Sequence, residues 1–387
     1  MGQDDWDYDL YGWANVNKLV CTRCVQDNFL QRLVRKHRGQ LDCSYCGSRG
    51  TRLATASVNV LMSTIAARFR QCFSDEVHAG CPNDRDAADS IQHITTFDAL
   101  QSLAIEISED VLQDVAKAFE NQRWVDAADG QWLSLHEHEE LTCSWGKFTH
   151  KVKHEQRFFF HHVDKLEKRR SVFPPSEMLR EISKLVVKHK LMRKIESGVE
   201  LFRVRFRNGE NWPLTEKELS APPANKARAG RMNPAGISYM YAAFDAETAV
   251  AETISVRPTL YVMSRWKTLR KLVVLDLSRL PALPSQFDET KRRQREALLF
   301  LDNFVCDISK PVASGYNDQI EYVPTQVVSE YFAHVFRLTG NSGRLDGLQY
   351  QSAKRPEGVN VVLFPSPTVQ TERFPGVSLV EHDLRNS

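Results

Sequence analysis

The pattern of hydrophobic and polar positions changes near residue 200. Before that point apolar residues recur at intervals of three to four, the spacing of one face of an amphipathic helix. The pattern predicts helices at Ser57–Arg70, Phe97–Glu120 (with an interruption near Ser108), Glu137–Lys168 and Met178–Ser197. The middle of the chain is therefore predicted to be all-helical.

After residue 200 short apolar or alternating runs lie between turns rich in proline and glycine, which is typical of strands. The predicted strands are Leu201–Phe206, Ile237–Ala243, Leu272–Leu277, Tyr322–Val323 and Val359–Phe364. The predicted helices are Ala246–Ser255, Glu289–Phe304 and Thr325–Leu338. The residues after Pro365 are expected to wrap a surface or to fray. Together the two halves predict an α+β protein.

Length and composition narrow the class of protein. A chain of 387 residues predicts two or three domains. Its composition, 42% hydrophobic and 26% charged residues, is typical of a globular protein. The net charge of +2 offers no overall attraction to nucleic acid. The N-terminus is acidic without an apolar segment, and no apolar run is long enough for a bilayer, so we expect a cytoplasmic protein with no membrane partner.

Four of the eight cysteines form two close pairs. Cys21 and Cys24 are followed after eighteen residues by Cys43 and Cys46, with Gly47 directly behind. Each CxxC directs two thiolates at one cation, and two such pairs complete a tetrahedral sulfur shell. The other cysteines are scattered, which favours a metal in a reducing compartment over a disulfide framework. We predict a structural zinc ion with a closed shell and no catalytic role.

A candidate ligand site lies in Gly230–Glu252. Arg231 follows a turn-forming glycine, Tyr241 lies in a predicted strand, and Glu252 lies on a helix for which Asp245 is the expected N-cap. A cation, an aromatic ring and a carboxylate suit a ligand with phosphates, a flat heterocycle and a developing positive charge. NAD has all three. Taken singly, Arg231 is better explained as a residue that ties down a loop, Tyr241 as a core residue, and Glu252 as a solvated charge or one partner of a salt bridge.

Histidines are frequent between residues 136 and 162. His150 and His154 share a helix face, yet no cysteine or carboxylate completes a ligand set, so we interpret them as surface residues. Arg157 and His162 resemble the R-x4-H motif of HEPN-type ribonucleases. The intervening residues FFFH are largely apolar, which favours a structural core over RNA cleavage.

Several short motifs after residue 200 occur together and in order. They are LFRVR at 201–205, APP at 221–223, GRMNPAGI at 230–237, YMYAA at 239–243 and AVAET at 249–253. With them, residues 200–365 resemble a RES domain, a family known mostly as bacterial toxins that act on NAD. Residues 20–165 resemble the zinc-knuckle and HEPN-like helical regions fused ahead of some RES domains. We therefore predict a zinc-knuckle segment (1–52), a HEPN-like helical domain (53–170), a helical connector (171–199), a RES domain (200–365) and a tail (366–387).

The resemblance implies a fold similar to ADP-ribosyltransferases, a β-core with flanking helices. It implies that Arg231 binds the NAD diphosphate or ribose, that Tyr241 stacks on nicotinamide and that Glu252 is the catalytic glutamate. The position of the family's serine corresponds to Thr325, with Gln326 or Ser329 as alternatives. The expected NAD-binding residues are Arg203, Arg231, Asn233, Tyr241 and Gln326.

The leading hypothesis is an NAD-consuming toxin, either an NAD glycohydrolase or a phosphorylase. The alternative is an ADP-ribosyltransferase that modifies a macromolecule, and the acceptor stays open. A hypothesis of another class makes the N-terminal half an RNA-binding or RNA-cleaving module, based on the zinc knuckles, the basic stretch Lys147–Arg170, and Arg157 with His162. That half could also restrain or target the toxic domain. The resemblance further implies a separate antitoxin and a homodimer.

Overall fold

The structure is a computed structural model that describes residues 12–39, 42–48, 54–75, 78, 92–119, 123–132, 134–160, 173–206, 212–253, 260–310, 318–338, 343–365, 374 and 376–386. The chain divides into two compact units. The first comprises Met1–Glu139 with Leu283–Ala297, and the second Glu140–Ala282 with Leu298–Ser387. These units differ from the domain boundaries predicted from the sequence.

The first unit is helical with short strands. Its described elements are β1 (Leu19–Cys21), α1 (Asn28–Lys36), β2 (Thr55–Ser57), α2 (Asn59–Cys72), β3 (Phe73–Ser74), β4 (Ile94–Thr95), α3 (Thr96–Ser102), α4 (Glu109–Ala118), β5 (Arg123–Ala128) and β6 (Gln131–Trp132). The core forms around Phe69, whose ring packs edge-on against Trp124 at 4.7 Å and tilted against Phe119 at 4.9 Å.

The helical character of this region is confirmed, including the interruption before Glu109. The structure adds a small sheet in which β5 pairs with β3, β4 and β6. Trp124 and Val125 on β5 are buried, so the strand closes one side of the helical core. β5 was not predicted, because a segment of six residues is too short for periodicity alone to distinguish a strand from a helix.

The second unit is built on a sheet. Its described helices include most of α5 (Glu137–His150), then a π-helical turn (Lys151–Glu155), α6 (Pro175–Lys188), α7 (Glu216–Leu219), α8 (Ala246–Thr253), most of α9 (Arg292–Ser309), α10 (Asp318–Glu321), α11 (Val323–Glu330) and a second π-helical turn (Tyr331–Val335). Its described strands are β7 (Met192–Ile195), β8 (Glu200–Phe206), β9 (Met240–Ala243), β10 (Leu260–Thr268), β11 (Leu272–Asp276), β12 (Gly347–Gln351), β13 (Val359–Leu363) and β14 (Val377–Asn386).

The strands form one mixed sheet in the order β14-β10-β8-β9-β13-β12-β11-β7. Neighbours pair antiparallel except β11 and β12, which are parallel. Alternate residues along a strand face opposite sides of a sheet. Met240 and Ala242 accordingly join a core on one face, while Tyr241 packs against the larger core on the other face, together with α5, α6, α9 and α11.

Two predicted elements are wrong in type. Tyr322–Val323 was predicted as a strand, but it begins α11, where Pro324 occupies the first turn. Proline is well tolerated there because the amide it lacks has no partner within the helix. Met178–Ser197 was predicted as one helix, but the helix ends at Lys188 and β7 follows. Lys190, with φ of 55°, adopts the left-handed conformation that ends helices.

Two further predictions differ from the structure, one in where a helix ends and one in the C-terminal residues. The predicted helix Glu137–Lys168 ends at His150, and its last residues from 161 lie outside the described residues. The residues after Pro365 were expected to wrap or fray, but β14 pairs with β10 along nearly its whole length. No helix in the described ranges is both long and apolar enough to cross a membrane.

Candidate active site and metal centre

A cavity of about 460 Å³ opens beside β8 and β9 in the second unit. It brings together four residues singled out from the sequence: Arg203, Arg231, Tyr241 and Glu252. It also exposes polar residues that sequence reasoning missed, namely Tyr322, Tyr350, Lys354 and Asn360. The strands supply Arg203, Tyr241, Tyr350 and Asn360, so much of the site rests on rigid backbone.

Two hydrogen bonds between the Tyr241 hydroxyl and the neighbouring loop hold this side chain in place. The hydroxyl donates to Asn233 Oδ1 at 2.7 Å and accepts from the backbone amide of Met232 at 3.0 Å. A Cβ atom at Gly230 would lie 2.8 Å from the Tyr241 oxygen, so this approach requires glycine. Burial raises the pKa of Tyr241 above its ordinary value, and the phenol stays neutral at physiological pH.

Asn233 and Gln326 support the loop from behind. The Asn233 amide nitrogen donates to the carbonyl oxygens of Arg228, Pro234 and Ile237. The Gln326 amide nitrogen donates to the carbonyl oxygens of Gly230 at 2.8 Å and Asn233 at 3.1 Å. Both side chains are buried. The structure therefore places these predicted NAD-binding residues as supports of the loop.

The two arginines are each anchored by backbone carbonyls. Arg203 donates through Nη1 to the Tyr241 carbonyl at 2.6 Å and through Nε to the Leu219 carbonyl at 3.2 Å. Burial lowers the pKa of Arg203 to about 9, so the guanidinium is still charged at neutral pH. Arg231 Nη1 donates to the carbonyls of Ile308 and Lys310, and its guanidinium carbon lies 5.6 Å from the Tyr322 ring centre.

Glu252 is the one carboxylate among the described residues that line the cavity. Its Oε1 atom accepts a hydrogen bond from Ser352 Oγ at 2.5 Å and another from Asn360 Nδ2 at 2.9 Å. Ser352 Oγ in turn accepts from the backbone amides of Lys354 and Arg355 at 3.1 and 3.0 Å. Asp245 directly precedes the helix that carries Glu252, and its carboxylate accepts from the amide of Thr248, as expected of an N-cap.

Thr325 does not join this arrangement. Its hydroxyl donates to the Tyr322 carbonyl at 2.9 Å, and the side chain lines a separate cavity of about 60 Å³. The hydroxyl bonded to Glu252 belongs to Ser352 instead. The sequence signal that could have found it is the strand β12, which was not predicted and which ends directly before this serine.

The four predicted cysteines converge in the first unit. The sulfur of Cys21 lies 3.8 Å from that of Cys24 and 3.5 Å from that of Cys46, and Cys24 lies 3.9 Å from Cys43. A tetrahedral shell with metal–sulfur distances of about 2.3 Å has edges of about 3.8 Å. Gly47, with φ of 60°, makes the turn that brings its amide to the Cys43 carbonyl. These four residues could hold a metal ion.

Two family models match the chain. The model of HEPN/RES N-terminal domain 1 matches residues 36–166, and the model of the RES domain matches residues 200–382. Residues 200–382 form a RES domain. Neither the curated proteins nor the solved structures contain a match to this chain. The RES assignment supports a toxin-like function with an enzymatic activity related to NAD.

The RES match runs further than the predicted domain, and its last residues include part of β14. The N-terminal match, at 36–166, overlaps the predicted HEPN-like domain, 53–170, and begins before it. His162 of the R-x4-H motif lies outside the described residues, so the structure does not test the motif. His150 and His154, whose ring centres are 5.2 Å apart, are both exposed. Among the described residues, the four cysteines are the single group with metal-ligand geometry.

Proposed function

We propose that the RES domain consumes NAD by cleaving the bond between nicotinamide and ribose. The observation that carries the proposal is one oriented carboxylate, Glu252, in a cavity whose other charged lining residues, within the described part of the chain, are cations. Arg203, Arg231 and Lys354 oppose this single acid. A ligand with a negative diphosphate and a reacting centre that becomes positive matches this distribution. The cavity volume of 460 Å³ is within the range of about 300–1,000 Å³ usual for small-molecule sites.

The guanidinium groups suit the diphosphate. Arginine offers paired N–H donors that match phosphate oxygens, and in Arg231 one terminal nitrogen makes both carbonyl bonds that hold the side chain. Among the described residues the second terminal nitrogen, Nη2, has no hydrogen-bond acceptor, and we assign it to the ligand. Nη2 of Arg203 likewise has no acceptor in the described ranges. The carbonyl bonds orient each arginine before substrate arrives, which limits the ordering cost of binding.

Glu252 would stabilise the transition state. When the glycosidic bond breaks, its electron pair returns to the pyridinium nitrogen, nicotinamide leaves neutral, and positive charge develops on the ribose. A fixed carboxylate stabilises this charge more in the transition state than in the ground state. Both donors from the described residues bond to Oε1, which leaves Oε2 to face the ribose.

The tyrosines would hold the flat nicotinamide ring. Tyr241 has its hydroxyl tied to the loop, so its ring is fixed, and Tyr322 and Tyr350 line the same cavity. Burial raises the pKa of Tyr350 above its ordinary value, which keeps this phenol neutral as well. Stacking on an aromatic face is worth about 1 kcal/mol beyond the burial of area.

The acceptor decides the name of the reaction. Water would give ADP-ribose, phosphate would give ADP-ribose 1″-phosphate, and a macromolecule would give an ADP-ribosylated product. We propose water or phosphate first, in line with a toxin that lowers NAD. Incubation of the full chain with NAD in phosphate and in phosphate-free buffer, followed by mass spectrometry of all products, tests this. Consumption of NAD with no free ADP-ribose species would contradict it, and unchanged NAD would contradict the function itself.

We further propose that the metal held by the four cysteines is zinc with a structural role. Four thiolates close the shell and leave no position for substrate. For its biological setting we propose a cytoplasmic toxin that is restrained by an antitoxin or by its own N-terminal half.

A further inference from the structure

The segment Trp145–Lys153 falls within the match of the N-terminal domain, which extends to residue 166. In the structure it packs into the second unit. Leu141, Trp145, Phe148 and Val152 are buried in the same core as residues of α9 and α11. Trp145 packs edge-on against Phe304 of α9, with ring centres 5.0 Å apart. This part of the N-terminal match is therefore built into the catalytic unit.

One connection runs from this segment to Arg231 through the end of α9. Trp145 Nε1 donates to Asp307 Oδ2 at 2.8 Å, and Lys310 Nζ donates to Asp307 Oδ1 at 2.9 Å. The carbonyls that hold Arg231 belong to Ile308, which follows Asp307, and to Lys310 itself. Arg231 Nη1 donates to Ile308 O at 3.0 Å and to Lys310 O at 2.6 Å.

A second connection runs through α10. Lys153 Nζ lies 2.7 Å from Glu321 Oε2, and Glu321 directly precedes Tyr322. The Tyr322 ring lies 5.6 Å from the guanidinium carbon of Arg231, within the distance of a cation–π contact. Trp145, Lys153 and Arg231 also line one small cavity of about 60 Å³. Both connections thus end at the arginine that belongs to both cavities.

We propose that Trp145 and Lys153 position Arg231 for the substrate, so that the matched N-terminal domain supplies part of the catalytic unit. The inference rests on the proposed function in one respect, that Arg231 binds the substrate. Trp145 and Lys153 are positioning residues, since they act through Asp307 and through Glu321. The N-terminal region is then required for full activity of the RES domain, in addition to any role in restraint or targeting.

The test is a double-mutant cycle on the full chain. Trp145→Phe removes the indole N–H and keeps an aromatic ring against Phe304, and Arg231→Met removes the cation. We expect Trp145→Phe to lower kcat/KM for NAD by about tenfold, mainly through KM, since a hydrogen bond to a charged group is lost. In the Arg231→Met background, Trp145→Phe should lower kcat/KM by less than about twofold, because the effects of residues that act together are not additive.

The matched control is Trp124→Phe in the first unit, where a buried indole N–H donates to Thr96 Oγ1 at 2.9 Å. It should leave kcat/KM within about twofold, because this indole bonds within the first unit and does not line the cavity of Arg231. Wild-type kcat/KM in Trp145→Phe, or losses that multiply in the double variant, would overturn the proposal. Lys153→Met repeats the test for the second connection, with Lys184→Met, which breaks the surface pair with Glu181, as its control.

Melting temperatures measured without NAD separate this proposal from the proposed NAD-cleaving function. The proteins are the wild type, Trp145→Phe, Arg231→Met and the double variant. If Trp145 and Arg231 share one network, their shifts in Tm are less than additive. Additive shifts overturn the positioning role even where NAD is consumed. Sub-additive shifts in a protein that leaves NAD intact support the positioning role and refute the proposed function.

Discussion

Ser352 donates its hydroxyl hydrogen to Glu252 across 2.5 Å while two backbone amides donate to the same serine oxygen. The serine is therefore oriented by the turn after β12, and it orients the carboxylate in turn. Asn360 adds a second donor from β13. A glutamate on the short helix α8 is thereby fixed to two neighbouring strands of the sheet.

The first prediction separates Ser352 from Thr325. Ser352→Ala removes a hydrogen bond to a charged group, and we expect kcat for NAD cleavage to fall by about tenfold or more. Thr325→Val keeps the shape of a side chain whose hydroxyl donates to the Tyr322 carbonyl, and kcat should stay within about twofold. Steady-state kinetics of the two variants provide the measurement. The opposite ranking would return the serine role to Thr325.

The placement of this hydroxyl shows what the sequence could predict. Arg203, Arg231, Tyr241 and Glu252 were found because compact motifs carry them, and the structure brings all four to one cavity. Ser352 was missed because β12 is only five residues long, and the alternation of Leu348 and Tyr350 with two glutamines is too short to identify a strand on its own. Which hydroxyl reaches Glu252 depends on the order of β9, β13 and β12 in the sheet, and strand order is a tertiary property.

Asn233 and Gln326 show the converse. Both are polar residues beside the predicted site, and the sequence alone suggested that they bind the ligand. Their amides instead satisfy backbone carbonyls of the loop 228–237. Buried polar groups need such partners, and a sequence does not distinguish a polar side chain that faces a ligand from one that supports the chain behind it.

The second prediction concerns Lys354. Its side chain is exposed at the cavity rim, so its attraction for a diphosphate is screened by solvent. Lys354→Gln should raise KM for NAD by about two- to fivefold with kcat unchanged, as expected for an exposed ion pair. The effect should shrink as salt is added. Lys188→Gln, an exposed lysine on α6, is the control. A fall in kcat without a change in KM would place Lys354 in the chemical step instead.

The third prediction concerns the metal. Elemental analysis of the purified chain should find one zinc ion per molecule. Because metal binding contributes directly to folding, Cys43→Ser or a strong chelator should lower Tm by about 10 °C or more. Cys143→Ser, at an exposed cysteine outside the cluster, should change neither the zinc content nor Tm. A full complement of zinc in Cys43→Ser would show that the metal lies elsewhere.

The fourth prediction concerns acid stability of the first unit. Burial by itself raises the pKa of Glu296, but the hydrogen bonds and charge of His138 outweigh it and lower the pKa to about 2. His138 Nδ1 lies 2.6 Å from Glu296 Oε2. Since the folded pKa is below the ordinary 4.5, this pair stabilises the fold above that pH and the contribution is lost as the pH falls towards 2.

The measurement is urea unfolding at a series of pH values. Glu296→Gln should be less stable than the wild type at pH 7, and the difference should narrow between about pH 4.5 and pH 2. Glu137→Gln, at an exposed position of α5, should follow the wild type throughout. A difference between Glu296→Gln and the wild type that is constant with pH would show that ionisation of Glu296 does not stabilise the fold.

The central claim is that Glu252 in the RES domain drives cleavage of NAD, and release of nicotinamide from NAD measures it most directly. The full-length wild type should release nicotinamide with multiple turnovers. Glu252→Gln, which keeps the size of the side chain and removes its charge, should be slower by about a hundredfold or more. Equal rates for the two proteins, or no nicotinamide from the wild type, would contradict the account.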